Sequence, residues 1–133
     1  MSLVDDALVT WMIFVARQCL AAVFLVSGIH KAFWYGKAEA EFRRAAVPAI
    51  RLLLPLTILL HVIGALGLIT GMFAREAALA LAVFTLVVTV KVHGFWRMSG
   101  NERLDRSRDA MANLAIVGGL ILLAAVGPGS IIL

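Results

Sequence analysis

The sequence predicts an all-α integral membrane protein: four transmembrane helices in a single bundle. Three observations lead there. Of the 133 residues, 62% are hydrophobic, against about half in an average soluble domain. A chain this short leaves much of its area exposed when it folds, so water is the wrong solvent for it. The apolar residues also fall into four runs of 17 to 23 residues, at 8–30, 52–70, 77–96 and 110–126. Each is long enough to cross a hydrocarbon core of about 30 Å. Helices are the only open-ended way to satisfy the backbone there.

The elements follow in order. Asp5 and Asp6 precede the first span and no Lys or Arg does. A cleaved leader needs a basic start, so the first span is expected to stay. Residues 37–46 predict a short interfacial helix with Glu39 reaching Arg43, Glu41 reaching Arg44 and Phe42 dipping into lipid. Pro48 would end it; an irregular linker is the other reading. The second span places Pro55 in its first turn, where a missing N–H matters least. A tight turn at 71–76 leads to the third span, and an Arg-rich connection to the fourth.

Charge sets the expected orientation. Lys31, Lys37, Arg43, Arg44 and Arg51 gather around the first connection, and Arg97, Arg103, Arg106 and Arg108 around the third. Neither tail has any Lys or Arg. The positive-inside rule then puts these two connections in the cytoplasm and both termini in the periplasm, across a bacterial inner membrane. The net charge of +4 is thus topological and does not point to nucleic acid. The lipid bilayer is the first partner, with a membrane complex or homo-oligomer beyond it. Cys19 is the single cysteine, which excludes an internal disulfide and dithiol exchange. With no phosphate loop, nucleophile elbow or paired carboxylates, no stand-alone enzyme is expected.

Polar groups inside spans are functional candidates by default. Arg17 shares a helical face with Ala21, Phe24, Ser27 and Gly28. Its readings are an ion pair, with Glu76 the carboxylate nearest in depth, or snorkelling to headgroups. His61 shares a face with Thr57, Gly64 and Ala65; it can bond across helices, bind a ligand or carry a proton. Gly67 and Gly71 add a spacing that admits a neighbouring helix. His93 aligns with Thr85, Thr89 and Trp96, while Lys91 points away and snorkels. His30 and Asn113 arrive at the depth of His93. A pocket of His30, His93, Asn113 and Trp96 would suit a quinone head, whose carbonyls need donors in an apolar slot. An ordinary interfacial belt is the competing reading. His30 and His93 are the only histidines at one depth, and no ligand spacing accompanies them. No metal or resident cofactor is expected.

Five stretches in order carry a family resemblance. Arg17 is followed by FLVSGIHKAFW at 24–34, FRRAAVPA at 42–49 and GALGLITGMFAREAAL at 64–79. HGFW at 93–96 and NLAIVGGLILLAAVGPG at 113–129 complete the set. Together they resemble the DoxX family of small four-helix bacterial membrane proteins, over nearly the whole chain. The resemblance implies a small membrane subunit handling or sitting near quinone. The namesake resembles the membrane part of a thiosulfate:quinone oxidoreductase, and other members look like partners in redox defence. Distant eukaryotic relatives resemble cargo receptors and assembly chaperones. The chain departs from the pattern at His61, where members usually carry glutamate, and at Ala112, where many carry lysine. The family's charged tail is reduced to Ser130, Ile131, Ile132 and Leu133.

Three functions are therefore expected from sequence. The first is an accessory subunit of an oxidoreductase system, with a partner supplying the redox cofactor. The second is a non-catalytic scaffold or assembly subunit, using the small residues at Gly67, Gly71, Ala78 and Ala82. The third is a small-solute transporter, with a path past Arg17, His61 and His93.

Overall fold

The computed structural model describes residues 2–91 and 100–133. Among them all regular structure is helical: α1 (Leu3–Phe33), α2 (Tyr35–Arg44), α3 (Ile50–Thr70), α4 (Ala74–Lys91) and α5 (Gly100–Val126). The helices Leu3–Phe33 and Ile50–Thr70 and the segment Ser107–Val126 are long and apolar enough to cross a membrane.

α1 begins earlier than the apolar run because Ser2 and Asp5 form a reciprocal capping box ahead of it. α2 carries the expected Glu39–Arg43 ion pair. Its end is not set by Pro48. The helix stops at Arg44, and Ala46 turns left-handed at φ 57°. Phe42 does not dip into lipid either: it is 5% exposed and packs with Ala38 and Leu54. α2 lies over the start of α3, so its apolar face meets protein.

α3 starts at Ile50, two residues before the predicted span, so Pro55 falls in the second turn. The Arg51 carbonyl loses its helical donor there, at an exposed edge where water or headgroups can replace it. The 21 residues of α3 rise about 31 Å, close to a hydrocarbon core. α4 runs from Ala74 to Lys91, starting three residues before the predicted third span, and residues 92–96 of that span lie outside the described residues. α5 begins at Gly100, so residues 100–109 are helix and not connection. Hydropathy marks only the apolar part of that helix; Glu102, Arg103 and Leu104 are good helix formers regardless.

The four long helices alternate in direction around a ring. α1 packs mainly on α3 and α5 mainly on α4; α3 joins α4, and the α1–α5 seam is the sparsest. One core runs through the ring, with Ala21 and Phe24 of α1, Ala65 and Leu68 of α3, Ala78 and Leu81 of α4, and Leu120 of α5. The outer face keeps side chains such as Leu56, Leu59, Ile63 and Leu114 exposed, as a lipid-facing wall does.

The small residues expected to receive a partner helix are used internally. The Phe73 ring lies on Gly67, and the Arg17 guanidinium lies on Gly71. Ala78 and Ala82 are buried in the same core. Gly67→Leu should therefore destabilise the bundle itself by about 1–3 kcal/mol. Thermal unfolding in detergent checks this: an unmoved midpoint would return Gly67 to the role of a partner surface.

Candidate functional site

Two polar features lie inside the bundle. The first is built on Arg17, which is 0% exposed. Its Nε donates to the Leu68 carbonyl at 2.7 Å and its Nη2 to the Ile69 carbonyl at 3.1 Å. Its Nη1 donates to the carbonyls of Pro128 at 2.6 Å and Ile131 at 2.8 Å. The guanidinium also sits 5.5 Å from the Phe14 ring centre, within cation–π range.

This arrangement completes the end of α3. A helix leaves its last four carbonyls without partners, here those of residues 67–70. Gly67 is bonded by the Gly71 N–H, and Leu68 and Ile69 by Arg17. Gln18 adds a bond to Ile69, and the Leu133 N–H donates to Thr70. A cation at the negative end of a helix dipole is favoured. Arg17 thus neither pairs with Glu76, which is exposed, nor snorkels outward. It clasps the end of α3 to the segment after α5.

The second feature is a cavity of about 120 Å³ at the middle of the ring. His61 of α3 is its deepest polar group, 5% exposed. Gly28 makes room for it: a Cβ there would sit 3.0 Å from the His61 Cβ and 3.1 Å from Val62 Cγ2, so a side chain would press α1 and α3 apart by a few tenths of an ångström. The imidazole is held between ring edges, 5.4 Å from Phe24 and 5.2 Å from Phe84, centre to centre. Its Nδ1 is buried and finds no hydrogen-bond partner among the described residues. A buried polar atom left unpaired costs about 1–3 kcal/mol, and such atoms are rare outside functional positions.

Around His61 the lining includes Ser27 and Lys31 from α1, Thr85 from α4 and Asn113 from α5. Lys31 Nζ donates to Ser27 Oγ at 2.7 Å, leaving two ammonium protons for other acceptors. Among the described residues no carboxylate lines the cavity. The set is rich in donors and set among aromatic and aliphatic walls, a chemistry that receives carbonyl oxygens. The rim is formed by Val23, which is 44% exposed, and by half-buried Asn113 and Ile116. The most exposed lining residue, Val23, lies on α1, whose seam with α5 is the sparsest of the ring.

Of the four residues grouped from sequence, Asn113 lines this cavity, where it meets His61, which the sequence reading set apart from that group. His30 is exposed and stacks on Trp34 with ring centres 4.9 Å apart, outside this cavity. His93 and Trp96 lie outside the described residues. Lys91 is exposed at the end of α4, beside a separate, mostly apolar pocket of about 250 Å³ that includes Phe42 and Val87. Ser27 and Lys31 are the lining residues that sequence reasoning did not assign to a site; their i,i+4 spacing was the available signal. Among the described residues no group of three His, Cys, Asp or Glu could hold a metal.

A helical ring with a lipid-facing exterior and a buried polar cavity defines a multi-pass membrane protein. The DoxX family model matches residues 12–94, more than half of the chain, and the chain belongs to the DoxX family. It is 33% identical over 118 residues to inner membrane protein YqjF of Escherichia coli K12, covering 89% of this chain and 85% of that protein. It is 25% identical over 120 residues to inner membrane protein YphA of the same organism, covering 90% and 86%. With these relatives and its apolar helices, the protein belongs to the bacterial inner membrane. No solved structure matches it significantly.

Proposed function

We propose that this protein is an accessory membrane subunit of an oxidoreductase system, holding a quinone head in the His61 cavity. The observation that carries the reading is a buried His61, its Nδ1 without a partner among the described residues, beside a pocket lined by Ser27, Lys31, Thr85 and Asn113. A quinone ring presents two carbonyl oxygens on opposite edges. His61 of α3 would serve one, and Lys31 of α1 or Asn113 of α5 the other. The flanking Phe24 and Phe84 rings supply apolar contact. Electrons come from a redox partner, since Cys19 is the only thiol in the chain and no cofactor motif accompanies it.

Neither alternative gains an observation. The small residues cited for a scaffold surface are filled from within. The Arg17 guanidinium is sealed by backbone carbonyls and does not line the His61 cavity, so the two groups do not mark out a transport path. The test is titration of a ring-only benzoquinone into the protein in lipid nanodiscs. Saturable one-to-one binding is expected; its absence would end the reading.

The orientation proposed with it has four spans, both termini periplasmic and α2 on the cytoplasmic side. α4 supplies the third crossing, running between Glu76 at one end and Lys91 at the described limit. In a Cys19→Ala background, Ser130→Cys should react with an impermeant maleimide in intact spheroplasts. Gly36→Cys, at an open exposed position, should react only after lysis. The reverse pattern would invert the topology.

A further inference from the structure

The α1–α5 seam does not end at the cavity. Along the same seam, towards the clasped end of the bundle, runs a groove of about 520 Å³ lined by α1 from Val9 to Leu20 and by α5 from Gly119 to Val126. Its walls are apolar throughout, whereas the cavity is polar. Ala16, Cys19 and Gly119 open it, because their small side chains leave space between the two helices unfilled. A Cβ at Gly119 would meet only Leu20, at ordinary contact distance of 3.4 Å.

The groove and the cavity are two stretches of one track. On α1, Ala16 and Leu20 line the groove while Val23, Ser27 and Lys31 line the cavity. These positions follow one another at intervals of three or four residues, a single stripe along one helix face. On α5, Asn113 and Ile116 line the cavity, and Gly119, Leu123 and Val126 continue the stripe into the groove. From Val9 to Leu20 the groove extends about 17 Å by helical rise, room for several prenyl units.

A cavity with polar groups from four helices, next to a long apolar trough along the same faces of α1 and α5, has the shape of an amphiphile. Resting on the quinone reading above, we infer that the ligand is a membrane-borne prenylquinone whose hydrocarbon tail lies in the α1–α5 groove. The head moves laterally from the bilayer past Val23, and a soluble, tail-less quinone would use only the cavity.

The test uses the full protein in nanodiscs and two probes: the ring-only benzoquinone, and the same ring with a prenyl tail carrying a photoactivatable diazirine. After irradiation, peptide mapping should place the label on α1 residues 9–20 and α5 residues 119–126. Ala16→Phe, at an exposed position, should cut that labelling about tenfold while ring-only binding is unchanged. Gly119→Leu is the independent check from the opposite wall. Labelling elsewhere, or labelling indifferent to both substitutions with ring-only binding intact, would overturn the groove and leave the head site standing. Absence of ring-only binding would overturn the head site and this inference with it. Full groove labelling in His61→Leu would show a trough that takes any hydrocarbon chain, and would also overturn the inference.

Discussion

Arg17→Met should lower the stability of the folded bundle by about 3–5 kcal/mol, the range seen when one side of a buried charged contact is removed. The methionine donates nothing, so four backbone carbonyls lose the bonds that Arg17 makes, and of these Ile69 keeps Gln18. Two of them end α3 and two lie after α5, and unpaired backbone groups are costliest where lipid replaces water. Arg17→Lys keeps the charge but replaces the planar fork with one point donor, so its loss should be intermediate. Thermal unfolding in detergent measures both, and limited proteolysis should show residues 128–133 released in Arg17→Met. A wild-type midpoint for Arg17→Met would mean that the clasp contributes nothing.

His61→Leu should move binding and stability in opposite directions. Quinone affinity should fall by about tenfold or more, the equivalent of about 1.4 kcal/mol, because one carbonyl loses its donor. Stability should hold or rise by about 1–2 kcal/mol, because a buried nitrogen without a partner is replaced by hydrocarbon of similar bulk. Nothing else in the bundle depends on a hydrogen bond from that Nδ1. A purely structural histidine would show the reverse: a lower midpoint and unchanged binding. Ring-only quinone titration and thermal unfolding on the same preparation decide between them.

The fold was legible wherever hydropathy alone decides. The four apolar runs correspond to α1, α3, the described part of α4 and the later part of α5, although every helix start lies earlier than its apolar run. Capping at Ser2 and ordinary propensity at residues 100–109 set starts that hydropathy does not register. Phe42 was misplaced because an amphipathic segment looks the same whether its apolar face meets lipid or another helix; only the tertiary position of α2 distinguishes them. The partners of Arg17 were illegible for a different reason. Carbonyl oxygens belong to every residue, so a side chain that bonds four of them leaves no matching residue type in the sequence. For the cavity, the burial of His61 among small residues was readable, whereas Asn113 was placed at the depth of His93 and apart from the deeper His61, with which it shares the cavity. The grouping with Ser27 and Lys31 depends on how α1 is rotated against α3, which Gly28 fixes by close approach.

The clasp also has a consequence in time. Pro128 lies 111 positions beyond Arg17 and Ile131 lies 114 beyond it, yet both accept from the same nitrogen. During synthesis the first helix is made long before either acceptor exists. Until then the guanidinium has only the end of α3 to bond, and a nascent chain holds a charge half-satisfied at membrane depth. Closing so long a loop is slow relative to local helix formation, so completion of the bundle waits on its final segment. A polypeptide halted before residue 128 lacks both acceptors, and its guanidinium keeps only the carbonyls at the end of α3.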